Sequence, residues 1–223
     1  MLSRGKGAFI KTVAFVPMKM NNERLPGKNS MLLGGKVPLF SLILESLKKV
    51  KQIDEIFVFC SEPYIEGLPS SVTYLRRDAT LDLPEVSIID VMYSFAEQVN
   101  ADIYVLAHAT APFLKAASIE KVVKALQIGD FDSALTVLAS REFIWSNGKP
   151  QNYDLTNVPR TQDLIPLWIE TTGIYAYTQS TIKKRRRIGD NPCLVEVSKV
   201  EAIDINDRED WEIADAIYRQ RLG

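Results

Sequence analysis

The chain has 223 residues, 46% hydrophobic and 25% charged, with a net charge of −1 and a pI of about 6.0. That composition suits a globular protein able to bury a core without staples, and its near neutrality gives no field that would favour nucleic acid or an anionic membrane. The two cysteines, Cys60 and Cys193, stand far apart in no metal-ligand spacing, which argues against a disulfide framework and fits a reducing compartment. At the N-terminus, residues 1–7 carry charge, but Lys11, Pro17 and Lys19 break the apolar stretch that follows, and no small-residue cleavage site appears. A leader is therefore not expected. No run is long and apolar enough to span a bilayer, so a cytoplasmic protein is the expectation. Residues 11–17 read as a buried strand. The loop after it holds Lys19, Arg24 and Lys28 among Pro, Asn and Gly, and Pro26-Gly27 sets a turn. Residues 39–50 show a helical period through Leu39, Phe40, Ile43, Leu44 and Leu47. Strands are predicted at 53–60 and 72–75, a helix at 86–98 and a strand at 103–107. Ser118 is a candidate cap for a helix running to about 128, and a strand follows at 133–138.

From residue 140 to 170 the texture changes, with Gly148, Pro150, Pro159, Pro166, three asparagines and several aromatics. This stretch is expected to be an excursion from the main sheet, a hairpin or a dimerisation arm. Strand character resumes at 172–177. The tail closes with a helix over 207–221, Asp207 as N-cap, and Trp211, Ile213, Ala214 and Ile217 on its buried face. Strands alternating with helices predict an α/β fold with a mostly parallel sheet, helices on both faces and right-handed crossovers. One domain over 1–223 is expected, with 140–170 as its excursion.

Several groups stand where chemistry is expected. The loop carrying Lys19, Arg24 and Lys28 follows a parallel strand, where open α/β sheets bind ligands. Clustered cations and backbone N–H groups there suit a polyphosphate, yet the spacing is neither a Walker A loop nor a dinucleotide fingerprint. His108, the only histidine, lies just past a strand; a substrate-contacting or orienting role is expected rather than a base. No Ser-His-Asp or Cys-His partnership is visible. Asp204 and Asn206 share one face by alternation and could hold a hard divalent cation alongside substrate phosphates; a capping turn before Trp211 would explain the same residues. The run Lys183-Lys184-Arg185-Arg186-Arg187 has no interleaved aromatics and reads as a solvated turn.

Taken together the segments resemble the acylneuraminate cytidylyltransferases, the CMP-sialic acid synthetase family, nearly end to end from about Val13 to Arg221. The family pattern Ile-Pro-Ala-Arg-Gly-Gly-Ser-Lys-Arg-Ile-Pro-Gly-Lys-Asn stands here as Val16-Pro17-Met18-Lys19-Met20-Asn21-Asn22-Glu23-Arg24-Leu25-Pro26-Gly27-Lys28-Asn29. Arg76-Arg77 with Ser87 and Asp90 matches the family's Arg-Arg-Pro, Ser and Asp. The stretch from Val105 to Leu114 resembles Leu-Gln-Pro-Thr-Ser-Pro-Leu-Arg, with His108 in place of glutamine and Thr110 retained. Arg160-Thr161-Gln162-Asp163-Leu164-Ile165-Pro166 resembles Arg-Gln-Asp-Leu-Pro-Pro, and Glu170-Thr171-Thr172-Gly173-Ile174-Tyr175 resembles Glu-Asn-Gly-Ala-Ile-Tyr. Arg187-Ile188-Gly189-Asp190 and Ala202-Ile203-Asp204-Ile205-Asn206 complete the series.

The resemblance implies a Rossmann-like sheet of the nucleotide-diphospho-sugar transferase type. It implies transfer of a cytidylyl group from CTP to a sialic-type nonulosonic acid, with Mg²⁺ as cofactor and a cytoplasmic homodimer as the working form. On it, Lys19, Arg24 and Lys28 are expected at the triphosphate, and Asn22, Arg77 and Ser87 on the cytidine side. His108, Thr110, Gln162 and Glu170 are expected at the acceptor, and Asp204 and Asn206 at the metal; Lys19, Lys28 and Asp204 are the expected catalytic set. The departures are Lys19 for arginine, Met20 and Asn21 for glycines, His108 for glutamine and Asn206 for the second metal aspartate. They keep two alternatives open: another sugar such as Kdo, or a catalytically impaired nucleotide- or sugar-binding homologue.

Overall fold

In the computed structural model, residues 9–20, 22–62, 65 and 67–221 are described; residues 1–8, over which no leader was expected, and Asn21 of the first loop lie outside them. The elements follow in the order β1 (Thr12–Met18), β2 (Leu32–Leu33), β3 (Val37–Pro38), α1 (Leu39–Lys48), β4 (Glu55–Cys60), β5 (Thr73–Arg76), α2 (Ile88–Gln98), β6 (Ile103–Ala107), α3 (Ala116–Gln127), β7 (Ser133–Ser140), β8 (Trp145–Ser146), β9 (Lys149–Pro150), β10 (Leu167–Thr178), α4 (Gln179–Lys183), β11 (Pro192–Glu196) and α5 (Arg208–Arg221). Seven strands form one sheet in the order β11-β7-β10-β6-β1-β4-β5. Every pair is parallel except β10 against β6 and β7. The sheet is therefore mostly parallel, as expected, with one reversed strand inside it. The strand order turns back between β1 and β6, so the loops after these two strands flank the crevice where such sheets bind ligands.

Apolar β-branched and aromatic residues without polar alternation make β1 and β6 central strands, and they are buried on both faces. On one face α1 and α3 lay Phe40, Ile43, Leu44, Ile119, Val122 and Val123 against the sheet. On the other, α2 inserts Met92 and Phe95. A third cluster joins Leu25, Leu33, Ile205, Trp211, Ala214 and Tyr218, so α5 clamps the β2–β3 ribbon and the first loop from outside. Gly34, at φ +63, turns that ribbon against the ring of Tyr218: a Cβ there would lie 2.8 Å from the ring carbons, so only glycine admits both the conformation and the contact.

Three expectations are corrected. The helix expected to start at Ser118 starts at Ala116. Its N-terminus is covered by the buried carboxylate of Glu201, which accepts from the Lys115 N–H at 3.3 Å and the Ser118 hydroxyl at 2.6 Å, an anion placed where the helix dipole favours one. Ile213 is exposed, and Tyr218 takes its place on the buried face of α5. β10 begins at Leu167, and β11 was not foreseen. Asp207 does cap α5, accepting from the Asp210 N–H at 3.1 Å.

Phe95 is fully buried and lies 4.1 Å from Phe15 in a stacked pair, with Phe57, Phe59 and Tyr104 edge-on around it. Phe95→Ala is expected to lower unfolding stability by about 3–5 kcal/mol in urea titration; a loss below about 1 kcal/mol would mean that this cluster does not anchor α2 to the sheet.

Candidate active site

The first loop leaves β1 at Met18 and turns at Pro26-Gly27. Lys28 N–H donates to Leu25 O at 3.2 Å, and Gly27 sits at φ +68, ψ +11, the type II geometry that glycine permits at this position. The loop is pinned by Asn29, whose side-chain amide donates to Lys19 O at 2.9 Å. The turn brings Lys28 inward: only 9% of the residue is exposed, and its ammonium donates to Ile205 O at 2.7 Å. Burial pushes this ammonium's pKa down; the charge of Asp204 opposes the shift and that of Arg24 adds to it.

Residues 203–206 run beside the loop after β6, with Ile205 N–H donating to Thr110 O at 2.9 Å. Arg24 donates to Asn206 Oδ1 at 2.7 Å, and the Asn206 Nδ2 donates to Asp204 Oδ2 at 3.1 Å. The same Asp204 oxygen accepts from the Thr172 hydroxyl at 2.9 Å. Thr172 reaches it because β10 bulges: the pairing with β7 shifts between Glu170 and Tyr175, so residues 171–174 stand opposite Thr136 alone. Thr172 has φ +57, a conformation rare for a β-branched residue. It occupies the position that glycine holds in the family pattern quoted above.

His108 follows β6 and is half-buried. Its imidazole lies edge-on to Tyr175 at 6.5 Å between ring centroids. Burial lowers its pKa from 6.5 to about 4; Asp204 opposes this, while Arg187 and Lys28 reinforce it. The imidazole is therefore neutral near pH 7. The Tyr175 hydroxyl donates to Glu170 Oε2 at 2.8 Å, Arg187 Nη2 donates to the same oxygen at 2.8 Å, and the guanidinium stacks over the Tyr175 ring at 4.1 Å.

Of the residues singled out in the sequence, the structure gathers Arg24, Lys28, Thr110, Asp204 and Asn206 at the sheet's crevice, with His108 and Glu170 beside them. Lys19 and Asn22 lie on the same loop, half-buried. Among the described residues Arg77 and Ser87 make no hydrogen bond with the crevice group or with each other; Arg77 follows β5 beside the end of β4, and Ser87 precedes α2. Arg77 is buried over Phe59 and ion-paired with Asp82, which also accepts from Ser61. Ser87 is exposed and caps α2 in a reciprocal box with Asp90. Gln162 is exposed on a single 3₁₀ turn of residues 161–163 and makes no hydrogen bond with the crevice group among the described residues. Four buried side-chain polar atoms have no hydrogen-bond partner among the described residues: Asn22 Oδ1, Gln52 Oε1, Arg77 Nε and the Tyr177 hydroxyl; of these, Asn22 lies on the first loop.

Sequence reasoning missed Thr172, Tyr175 and Arg187 as site residues. Arg187 lay in a basic run read as a solvated turn. The run's other cations are held locally: Lys184 and Arg186 by Asp190, Arg185 by Asp90, and Lys183 by Gln179 at 3.2 Å. Only Arg187 turns toward the crevice.

Among the described residues no group of three His, Cys, Asp or Glu forms a self-sufficient metal cage. A single carboxylate is nevertheless what Mg²⁺ uses when substrate phosphates supply its other oxygens, and Asp204, with one oxygen engaged by Thr172 and Asn206, fits that use. The Asn206 amide turns its nitrogen to Asp204 and its oxygen to Arg24, so a cation at that oxygen would share it with the Arg24 guanidinium.

A family model described as cytidylyltransferase matches residues 13–187. A CMP-N,N'-diacetyllegionaminic acid synthase of Legionella pneumophila is 25% identical over 93% of this chain and 96% of its own length. An N-acylneuraminate cytidylyltransferase of Streptococcus agalactiae is 21% identical over 91% of this chain, which spans only 52% of the streptococcal protein. A 3-deoxy-manno-octulosonate cytidylyltransferase of Hydrogenovibrio crunogenus is 26% identical over 56% of this chain and 50% of its own. The solved structure of a CMP:2-keto-3-deoxy-manno-octonic acid synthetase complexed with CTP shares the fold, with a TM-score of 0.69 and 17% identity over 95% of this chain and 100% of that one. With a neutral imidazole, a buried lysine and a carboxylate gathered at the sheet's switch point, and the matched segment spanning most of the residues described above, the chain belongs to the cytidylyltransferase family.

Proposed function

We propose that the protein activates a sialic-type nonulosonic acid with CTP, giving the CMP-sugar and pyrophosphate. The observation that carries this reading is the linked set Lys28, Arg24, Asn206, Asp204 and Thr172 at the crevice, where cations for a polyphosphate stand beside one carboxylate for its metal. Lys19, Arg24 and Lys28 neutralise the triphosphate, and the buried Lys28 does so in a low-dielectric position where each charge counts for more. Asp204, with Asn206 beside it, holds Mg²⁺, which when bound withdraws charge from the phosphate oxygens. The acceptor's anomeric hydroxyl attacks the α-phosphorus and pyrophosphate leaves, so the protein's work is positioning and charge neutralisation. Asn22, Arg77 and Ser87 line the cytidine side.

His108, Thr110, Gln162 and Glu170 face the acceptor, His108 as a neutral hydrogen-bonding group. A second reading, the eight-carbon acid Kdo as acceptor, is supported by the likeness to the Hydrogenovibrio enzyme. Phe143, Trp145, Ile165, Trp168 and Ile169 carry exposed apolar side chains in the segment from 140 to 170, and we assign this segment to the contact of a homodimer in the cytoplasm. Sedimentation checks this: wild type should run as a dimer, and Trp168→Glu should shift it toward monomer.

The deciding experiment is pyrophosphate release with Mg²⁺, each of the four nucleoside triphosphates, and a panel of nonulosonic acids with Kdo. Release is expected with CTP and a nine-carbon acid. Release with Kdo alone would replace the acceptor, and selectivity for another nucleotide would overturn the reading. Lys28→Ala is expected to lower turnover by about 100-fold or more; retained turnover would remove it from the triphosphate. His108 gives a pH test on stability. Its proton is bound less tightly folded than unfolded, so its contribution is full above pH 6.5 and is lost as pH falls from there toward 4. His108→Gln should therefore lose less stability than wild type between pH 7 and 4.5, and parallel curves would show that His108 is not held neutral.

A further inference from the structure

Arg187 has a place in the crevice that the foregoing roles do not use. Its side chain is 29% exposed and stacked on Tyr175, the ring that His108 meets edge-on, and its charge repels the proton of His108. Its one side-chain hydrogen bond among the described residues runs from Nη2 to Glu170 Oε2. Glu170 is itself 42% exposed, and an ion pair this wet is weak. The cations of the first loop, Lys19, Arg24 and Lys28, are given to the triphosphate above, and Lys28 and Arg24 are tied to the segment of residues 205–206. Stacking on a ring fixes the plane of the guanidinium and leaves its N–H edge free for a planar anion. The Glu170 carboxylate shows that this edge accepts such a group.

We propose that Arg187 binds the carboxylate of the acceptor, with Glu170 holding the guanidinium in place until the substrate arrives, and so makes the enzyme select sugar acids over neutral sugars. This rests on the acceptor being a sugar acid, as proposed above. Stacking on Tyr175 makes Tyr175 and Glu170 positioning residues for Arg187, which itself touches substrate.

The test is steady-state kinetics on full-length protein, varying CTP and the preferred sugar acid separately, with the same acid's carboxamide as a second acceptor. Arg187→Gln is expected to raise KM for the acid at least tenfold, to leave KM for CTP within twofold, and to have no further effect on the already weak carboxamide. Arg187→Lys, which keeps the charge and loses the fork, should fall between. An equal loss for acid and carboxamide would reduce Arg187 to a structural prop. A change in KM for CTP would give it to the triphosphate. An unchanged KM for the acid would overturn the proposal while leaving the proposed function intact. If wild-type protein turns over no sugar acid, both fall together.

Discussion

The carboxylate of Asp204 ties three distant parts of the chain at one point. Through Asn206 it reaches Arg24, 182 positions away from that amide; through Thr172 it reaches the bulge of β10. Hydrogen bonds to an ionised group contribute roughly 1.5–3 kcal/mol each, enough to hold a loop of polar and small residues that has little apolar surface of its own to bury. The loop is also held by Asn29 at Lys19 O, by Lys28 at Ile205 O, and by Leu25, packed beside Ile205 and Trp211. The cations are thus placed by α5 and by one acid, and only secondarily by their own loop's preferences.

Thr172 shows what that arrangement costs. A β-branched residue held at φ +57 carries strain on the order of 1–3 kcal/mol. The structure holds it there through the hydroxyl's single proton, within reach of Asp204 Oδ2 at 2.9 Å and Thr171 O at 2.8 Å and shared between them, and through Thr171 buried against Thr136 on the neighbouring strand at 2.6 Å. A glycine would adopt the turn without strain but would give Asp204 nothing. In this chain a local conformational preference has been given up for a polar contact at the crevice.

Strand and helix alternation made the sheet legible, since β1, β4 and β6 are near-continuous apolar runs and α1 keeps a clean helical period from Leu39 to Leu47. The motif resemblance made the loop and the Asp204 segment legible. Long-range substitutions of one local signal for another were hidden. Ser118 looks like a cap, but the cap is the carboxylate of Glu201, 83 positions on. Ile213 looks inward by spacing, but the close approach of Gly34 gives that place to Tyr218. Arg187 is one of five consecutive cations, and nothing local distinguishes the member that meets Tyr175 from the four that meet Asp190, Asp90 and Gln179. Neither the reversal of β10 nor its bulge has a signature in residue type.

β10 is twelve residues long, some 40 Å when extended, and its two ends live in different surroundings. Leu167, Trp168 and Ile169 are exposed, whereas Ile174 through Tyr177 are sealed in the core. Glu170 and Thr172 sit between, on a segment paired with β7 on both sides of the bulge, from Leu167 to Glu170 and from Tyr175 to Tyr177. A strand cannot be clamped at Trp168 and stay slack at Glu170. The crevice therefore has a mechanical boundary condition outside its own walls: the bulge that presents Thr172 is held at both ends by pairing with β7, so its shape is set in part by strand segments that lie outside the crevice.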